Sequence, residues 1–127
     1  MSFDVFLQGF RSEEAGSGDG VAVMGVLAPL IENTDGGYAR IVVPGGQADV
    51  YGLEDPSSGL MVNRIAGSAA WDVLVEVAKA GGFCIMPAGC AVGVPKGVAL
   101  DDLPFELRDN ALAVTTGADL EQLIAAE

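Results

Sequence analysis

The chain has 127 residues, with 18 acidic side chains against six basic ones, a formal net charge of −12 and no histidine. This charge repels phosphate backbones and anionic lipid headgroups, so nucleic-acid binding and membrane-surface binding are disfavoured, whereas a basic protein partner is favoured. The lack of histidine excludes Ser-His and Cys-His nucleophilic pairs, histidine general bases and histidine-containing metal sites.

Length and hydropathy predict one soluble domain over residues 1–127, because a chain of this size can bury a single core. The N-terminal MSFDVFLQGF lacks the basic region and the continuous apolar region of a secretory signal. The longest apolar run, residues 21–31, is too short to span a bilayer. We therefore expect a cytoplasmic protein. Half of the residues are hydrophobic and 18 more are glycine, an apolar excess that predicts a homodimer.

The N-terminal third predicts a strand, a loop and a helix. Apolar and polar residues alternate over 2–10, which predicts a strand with Phe3, Val5 and Leu7 on its buried face. Residues 11–20 are polar and glycine-rich and predict a flexible, solvated loop, in which Ser17 or Asp19 caps a helix over 21–31 that ends near its proline. The GSGDG segment of this loop lacks phosphate-loop spacing, and its acidic neighbours would repel a phosphate.

Residues 32–37 predict a turn, and residues 38–52 a β-hairpin closed by Gly45 and Gly46, which tolerate positive φ. In this register Arg40 lies opposite Tyr51. One face of the hairpin is then apolar and the other is partly polar. The apolar face carries Ile41, Val43, Ala48 and Val50, and the other carries Arg40, Val42, Asp49 and Tyr51. Residues 60–66 predict a third strand beside this hairpin.

The C-terminal half predicts further helices and strands. Residues 69–80 have the strongest helical pattern, with Trp71, Leu74, Val75 and Ala78 on one face, a cap at Ser68 and a stop at the following glycines. Residues 100–110 predict a short helical turn with Pro104 near its first position. A strand over 111–116 and a helix capped by Thr116 with Asp119 complete the chain. The order predicts an α+β two-layer sandwich, a mainly antiparallel sheet with helices packed on one face.

Both cysteines lie in the glycine-rich stretch 83–97, which predicts a buried ribbon. A two-residue turn at Ala88 and Gly89 places Cys84 and Cys90 on opposite faces. A three-residue turn from Pro87 to Gly89 makes them diagonal neighbours, near or beyond the disulfide limit of about 7 Å between Cα atoms. With either turn we expect reduced thiols, since two thiols with five residues between them fit neither a redox motif nor a zinc site.

The candidate ligand- or partner-binding residues are Arg40, Asp49 and Tyr51 on the polar hairpin face, with Arg64 from the next strand. The same residues also suit an exposed cross-strand ion pair beside an aromatic ring. Sequential carboxylate pairs at 13–14, 54–55 and 101–102 lie in predicted loops, where solvation is the default. We therefore predict no catalytic residue, no metal site and no cofactor.

The opening SFDVFLQGF, followed by an acidic glycine-rich loop and an apolar helix, resembles the start of small uncharacterised bacterial α+β proteins, a resemblance that implies no activity. In size, acidity and element order the chain is also similar to immunity proteins that neutralise basic nuclease toxins. Three functions stay open: an acidic interaction protein, immunity- or inhibitor-like, with a basic partner; a small-ligand-binding domain that uses the polar sheet face; and a histidine-free enzyme that uses carboxylates or Cys84.

Overall fold

The computed structural model describes residues 4–126, which form nine strands and four helices. The strands are β1 (Val5–Arg11), β2 (Glu14–Gly16), β3 (Ile31–Asp35), β4 (Tyr38–Val43), β5 (Gly46–Tyr51), β6 (Leu60–Ala66), β7 (Cys84–Pro87), β8 (Val92–Pro95) and β9 (Ala111–Val114). The helices are α1 (Gly20–Leu27), α2 (Ser68–Gly81), α3 (Phe105–Arg108) and α4 (Gly117–Ala125). Short 3-10 turns occupy Ala28–Leu30, Pro56–Ser58 and Leu100–Asp102.

All nine strands belong to one sheet with the order β3-β4-β5-β6-β1-β7-β8-β9, and β2 adds to β1 as a short hairpin. Every pairing is antiparallel except that of β8 with β9. The predicted α+β sandwich with a mainly antiparallel sheet is therefore confirmed.

The two faces of the sheet are covered differently. Helices α1, α2 and α4 pack on one face, and their apolar side chains form the main core with those of the strands. A second, smaller cluster lies on the other face, where Leu103 and Leu107 cover Cys84 and Val92 at the β7–β8 end. The three longer helices thus share one face, as predicted, while the four-residue α3 lies on the other.

The predicted flexible loop over 11–20 is wrong. Ser12 and Glu13 take φ values of 51° and 71° and turn the chain back, so that β2 pairs with β1. Gly18 then lies against the buried Phe83 ring. Asp19 does cap α1, because its Oδ1 accepts from the Ala22 N–H at 3.0 Å. The helix ends at Leu27 rather than at residue 31. Phe3 lies outside the described residues.

Residues 31–35, assigned to the end of the helix and to a turn, instead form β3. The β4–β5 hairpin exists, but Pro44 and Gly45 are its turn residues, with Gly45 at φ +88°. Proline and glycine suit the second and third positions of a type II turn, which explains this choice. The register therefore differs by two residues and places Arg40 opposite Asp49 instead of Tyr51. A shift of two leaves every side chain on its predicted face.

The remaining helices and strands lie close to their predicted positions. β6 has the predicted bounds, and α2 is capped by Gly67 rather than Ser68. A Cβ at Gly67 would lie 2.0 Å from the Gly45 carbonyl oxygen, so the contact with the β4–β5 turn requires glycine there. The capping box of Thr116 and Asp119 is confirmed. Pro104 occupies the N-cap position of α3.

The β7–β8 turn adopts neither predicted register, because Ile85 pairs with Gly93. Cys84 belongs to the smaller apolar cluster, whereas Cys90 packs against the main core. Neither cysteine is in a disulfide. Among the helices within residues 4–126, none has the length and hydropathy needed to cross a membrane.

Candidate functional site

Arg40 and Asp49 form a bidentate ion pair across β4 and β5. The Nε of Arg40 lies 2.8 Å from Oδ1 of Asp49, and a terminal guanidinium nitrogen donates to Oδ2 at 3.2 Å. The hydrogen bond and the charge of Asp49 raise the pKa of Arg40. The Asp49 side chain is only 2% exposed. A buried carboxylate needs such a partner, since ionised groups are costly to remove from water.

Arg64 reaches the same carboxylate because β6 contains a bulge. The register between β5 and β6 changes between Gln47 and Asp49, and Arg64 takes a φ of +52°. Regular alternation would turn Arg64 to the core face. The bulge instead lets Ile65 pack against the main core and places Nε of Arg64 3.8 Å from Oδ2 of Asp49. A left-handed conformation costs a non-glycine residue about 1 kcal/mol or more.

A row of aromatic and methionine side chains runs across four strands beside this ion pair. Tyr38 lies directly opposite Tyr51, with ring centroids 5.4 Å apart. Tyr51 is opposite Met61, and Met61 is opposite Phe6 on β1. Phe6 is 44% exposed, and the other three side chains are partly exposed. At the outer end of the row, the exposed Asp35 of β3 lies opposite Tyr38.

A second row, made of polar side chains, extends from the ion pair toward β1. Asp49 is opposite Asn63, whose Nδ2 donates to Oδ1 of Asp4 at 3.2 Å. The Oδ1 atom of Asn63 is buried and accepts no hydrogen bond from the described residues. The two rows together form what we name the open face. Its residues are Asp4, Phe6, Tyr38, Arg40, Asp49, Tyr51, Met61, Asn63 and Arg64.

The four candidate residues all lie on the open face, and three of them are in contact. Arg40 and Arg64 converge on Asp49, whereas Tyr51 packs against Tyr38 in the neighbouring row. The alternative of an exposed cross-strand ion pair fits the arginines, but Asp49 itself is buried. Five further side chains complete the face and were not predicted from the sequence: Asp4, Phe6, Tyr38, Met61 and Asn63. For Phe6 the sequence carried one signal, because the alternation of residues in β1 places Phe6 on the face opposite the buried one.

The cysteines do not form a reactive centre with the residues described. Burial raises the pKa of the Cys84 thiol to about 11, which keeps it protonated and weakly nucleophilic at neutral pH. Within residues 4–126, no three cysteine or carboxylate side chains lie where they could hold a metal ion together.

Comparison of the chain with protein-family models, with curated proteins and with solved structures finds no match.

Proposed function

We propose that the protein is a non-enzymatic, acidic interaction protein, immunity- or inhibitor-like in kind, which binds a basic protein partner in the cytoplasm through its open face. The observation that carries this proposal is the row of Tyr38, Tyr51, Met61 and Phe6 next to the arginines of the ion pair. Tyrosine, phenylalanine, methionine and arginine are the residues that protein interfaces favour over the rest of the surface.

The shape of the open face favours a protein over a small molecule. Its side chains are spread over β4, β5, β6 and β1, which are neighbours in the sheet. Small ligands prefer concave pockets, whereas a sheet surface of this extent matches the broad contact of a protein partner. The backbone pairing and the bidentate ion pair fix the side chains before binding, which lowers the entropic cost of association.

Charge favours a basic partner. The chain carries a net charge of −12, whereas the open face itself is formally neutral, because its two arginines balance Asp4 and the buried Asp49. The exposed Asp35 lies beside the Tyr38–Tyr51 ring pair. A lysine or arginine of the partner could stack on these rings and pair with this carboxylate at the same time. The acidic surroundings would also attract a cationic surface over a longer range.

A second candidate function is small-ligand binding by the polar row, and it rests on Asn63. Its buried Oδ1 atom lacks a donor among the described residues. A ligand with a hydrogen-bond donor would satisfy this atom, because an unpaired buried acceptor costs about 1–3 kcal/mol.

The test is affinity capture from the source cells with matched baits. The wild-type chain, Phe6→Ala and Phe105→Ala are compared. Phe105 is 66% exposed on α3 and lies outside the open face, so its removal controls for loss of an exposed aromatic ring. We expect a basic protein that wild type and Phe105→Ala retain. If Phe6 contributes a typical interface hot spot of about 2 kcal/mol, Phe6→Ala weakens binding about 30-fold.

Equal capture by all three baits, or an acidic partner, would contradict the proposal. Native mass spectrometry of the captured wild-type chain separates the second candidate. A bound small molecule that is lost from Asn63→Leu, without any protein partner, would favour ligand binding.

A further inference from the structure

The two edges of the sheet differ in how they are protected. Edge strands expose unpaired backbone groups, and natural proteins shield them with charges, bulges or short lengths. β3 carries Glu32 and Asp35 and has an irregular register between Ile31 and Asn33. β9, with the sequence Ala-Leu-Ala-Val, carries no charge, and its Leu112 is 53% exposed. β3 is therefore shielded by charges and an irregular register, whereas β9 is shielded only by its length of four residues.

The parallel pairing with β8 determines which groups of β9 point outward. The N–H of Val92 donates to the carbonyl of Asn110, and Val92 is the register partner of Ala111. In a parallel ladder this pattern directs the backbone groups of Leu112 toward β8 and those of Ala111 and Ala113 away from it. Each chain therefore presents two N–H groups and two carbonyls along this edge.

We propose that β9 pairs with β9 of a second copy of this chain, antiparallel and about a two-fold axis, to give one continuous sheet. In this register Ala111 of each copy is opposite Ala113 of the other, so all outward backbone groups of these alanines are paired. Leu112 is then opposite its own counterpart in the close, non-hydrogen-bonded position. The Thr115 N–H stays with Asp119, which accepts it at 2.9 Å.

A register shifted by two residues would place Ala113 opposite itself and Ala111 opposite Thr115. It would need the Thr115 N–H that the α4 capping box already uses. The proposed register therefore pairs every outward group of Ala111 and Ala113, whereas the shifted register leaves the Ala111 carbonyls without a donor unless the bond from the Thr115 N–H to Asp119 breaks.

Electrostatic repulsion between two copies is weakest at this edge. Two chains of −12 repel each other over most of their surfaces, but residues 110–118 contain no charged side chain. Apolar grooves flank β9 on both sides of the sheet. One, of about 440 Å³, includes Val94 and Leu100, and the other, of about 330 Å³, includes Leu112 and Leu123. Because β3 is protected, pairing through β9 closes at two copies instead of growing into a fibre.

The first test is the mass in solution, measured by light scattering at micromolar concentration. Wild type should have twice the mass of one chain. Leu112→Lys places two ammonium groups face to face and should halve that mass, while Val21→Lys should keep the dimer. Val21 is 87% exposed on α1, away from this edge, and serves as the matched control. Circular dichroism verifies that both variants fold. A monomeric wild type, or a Leu112→Lys dimer, overturns the proposal.

The second test is the register. In the proposed dimer the Leu112 Cα atoms are about 4.5 Å apart, within the range that a disulfide spans. Leu112→Cys in a Cys90→Ala background should therefore cross-link under mild oxidation into a covalent dimer joined at position 112. Ala118→Cys in the same background, six residues from Leu112, should not. Absence of the Leu112→Cys cross-link overturns the proposed register. A monomeric chain that binds a strand of another protein at β9 overturns the proposal that a second copy pairs there. Neither result bears on the open face.

Discussion

Substitution of two glycines by alanine should have opposite effects on stability. A Cβ at Gly18 would lie 2.3 Å from both the Gly81 carbonyl oxygen and the Phe83 ring, closer than real Cβ contacts. A Cβ at Gly25 of α1 would meet nothing within 4 Å. Gly18 is not among the glycines with positive φ, so any cost comes from packing rather than from backbone conformation.

Overpacking of this kind costs about 1–3 kcal/mol, and more where backbone must move. Alanine in place of an exposed helical glycine gains about 0.5–1 kcal/mol. For a domain of this length each kcal/mol changes Tm by about 3–5 °C. Gly18→Ala should therefore lower Tm by about 5 °C or more, and Gly25→Ala should raise it by about 2–4 °C.

Differential scanning calorimetry of wild type and the two variants, in one buffer, gives both shifts. Equal Tm values for Gly18→Ala and wild type would refute the close packing of residues 16–20 on Phe83. The segment would then be the solvated loop that its composition suggests. A loss of stability in Gly25→Ala would instead contradict the exposed, uncrowded position of residue 25 on α1.

Three further predictions concern strain, pH and thiol reactivity. Arg64→Gly should stabilise the protein by about 1 kcal/mol in urea unfolding, because glycine adopts the left-handed conformation without strain. The same substitution should weaken partner binding. Arg64→Ala keeps the strain and should not stabilise the protein. Backbone N–H groups of the α4 cap lower the pKa of Asp119 below 3.8. The stability that ionised Asp119 contributes is therefore present above pH 3.8 and is lost as the pH falls through its lower pKa in the folded state. The Tm difference between wild type and Asp119→Asn should therefore shrink in acid, and a constant difference would contradict this. At pH 8 an alkylating reagent should leave Cys84 unlabelled until the chain unfolds, whereas the unfolded chain should titrate two thiols, Cys84 and Cys90.

Local patterns predicted most of the fold. The alternation in β4 and β5 assigned each side chain to its face, even though the turn uses Pro44 and Gly45. The capping box at Thr116 and the bounds of β6 also follow from local residue types. What local patterns could not show is close approach between distant segments. The glycines at 18 and 67 are required by Phe83 and by the β4–β5 turn, which composition alone does not reveal.

The candidate site likewise contains residues that local patterns predicted and residues that they could not predict. Arg40 and Asp49 lie on one hairpin, so alternation placed both on the same face, although the predicted register put Arg40 opposite Tyr51 rather than Asp49. Phe6 joins the face only because β1 pairs with β6, and Met61 is 55 residues away in the sequence. The bulge that turns Arg64 toward Asp49 lies in the pairing of β6 with β5, and no local residue pattern predicted it. A single sequence does not specify strand order, so Phe6 and Met61 could be assigned to the open face only from the structure.

The association rate of the captured partner with the open face, measured from low to high salt, tests most directly whether the protein binds a basic partner. Steering by opposite charges raises association rates, and at physiological ionic strength the Debye length of about 8 Å reduces that advantage. Neutralisation of Glu54, Asp55, Asp101 and Asp102 together should slow association without changing dissociation, whereas Phe6→Ala should speed dissociation. We expect a rate that falls steeply with salt for wild type and less steeply for the neutralised chain. A rate indifferent to salt and to these substitutions, with dissociation unchanged in Phe6→Ala, would contradict it.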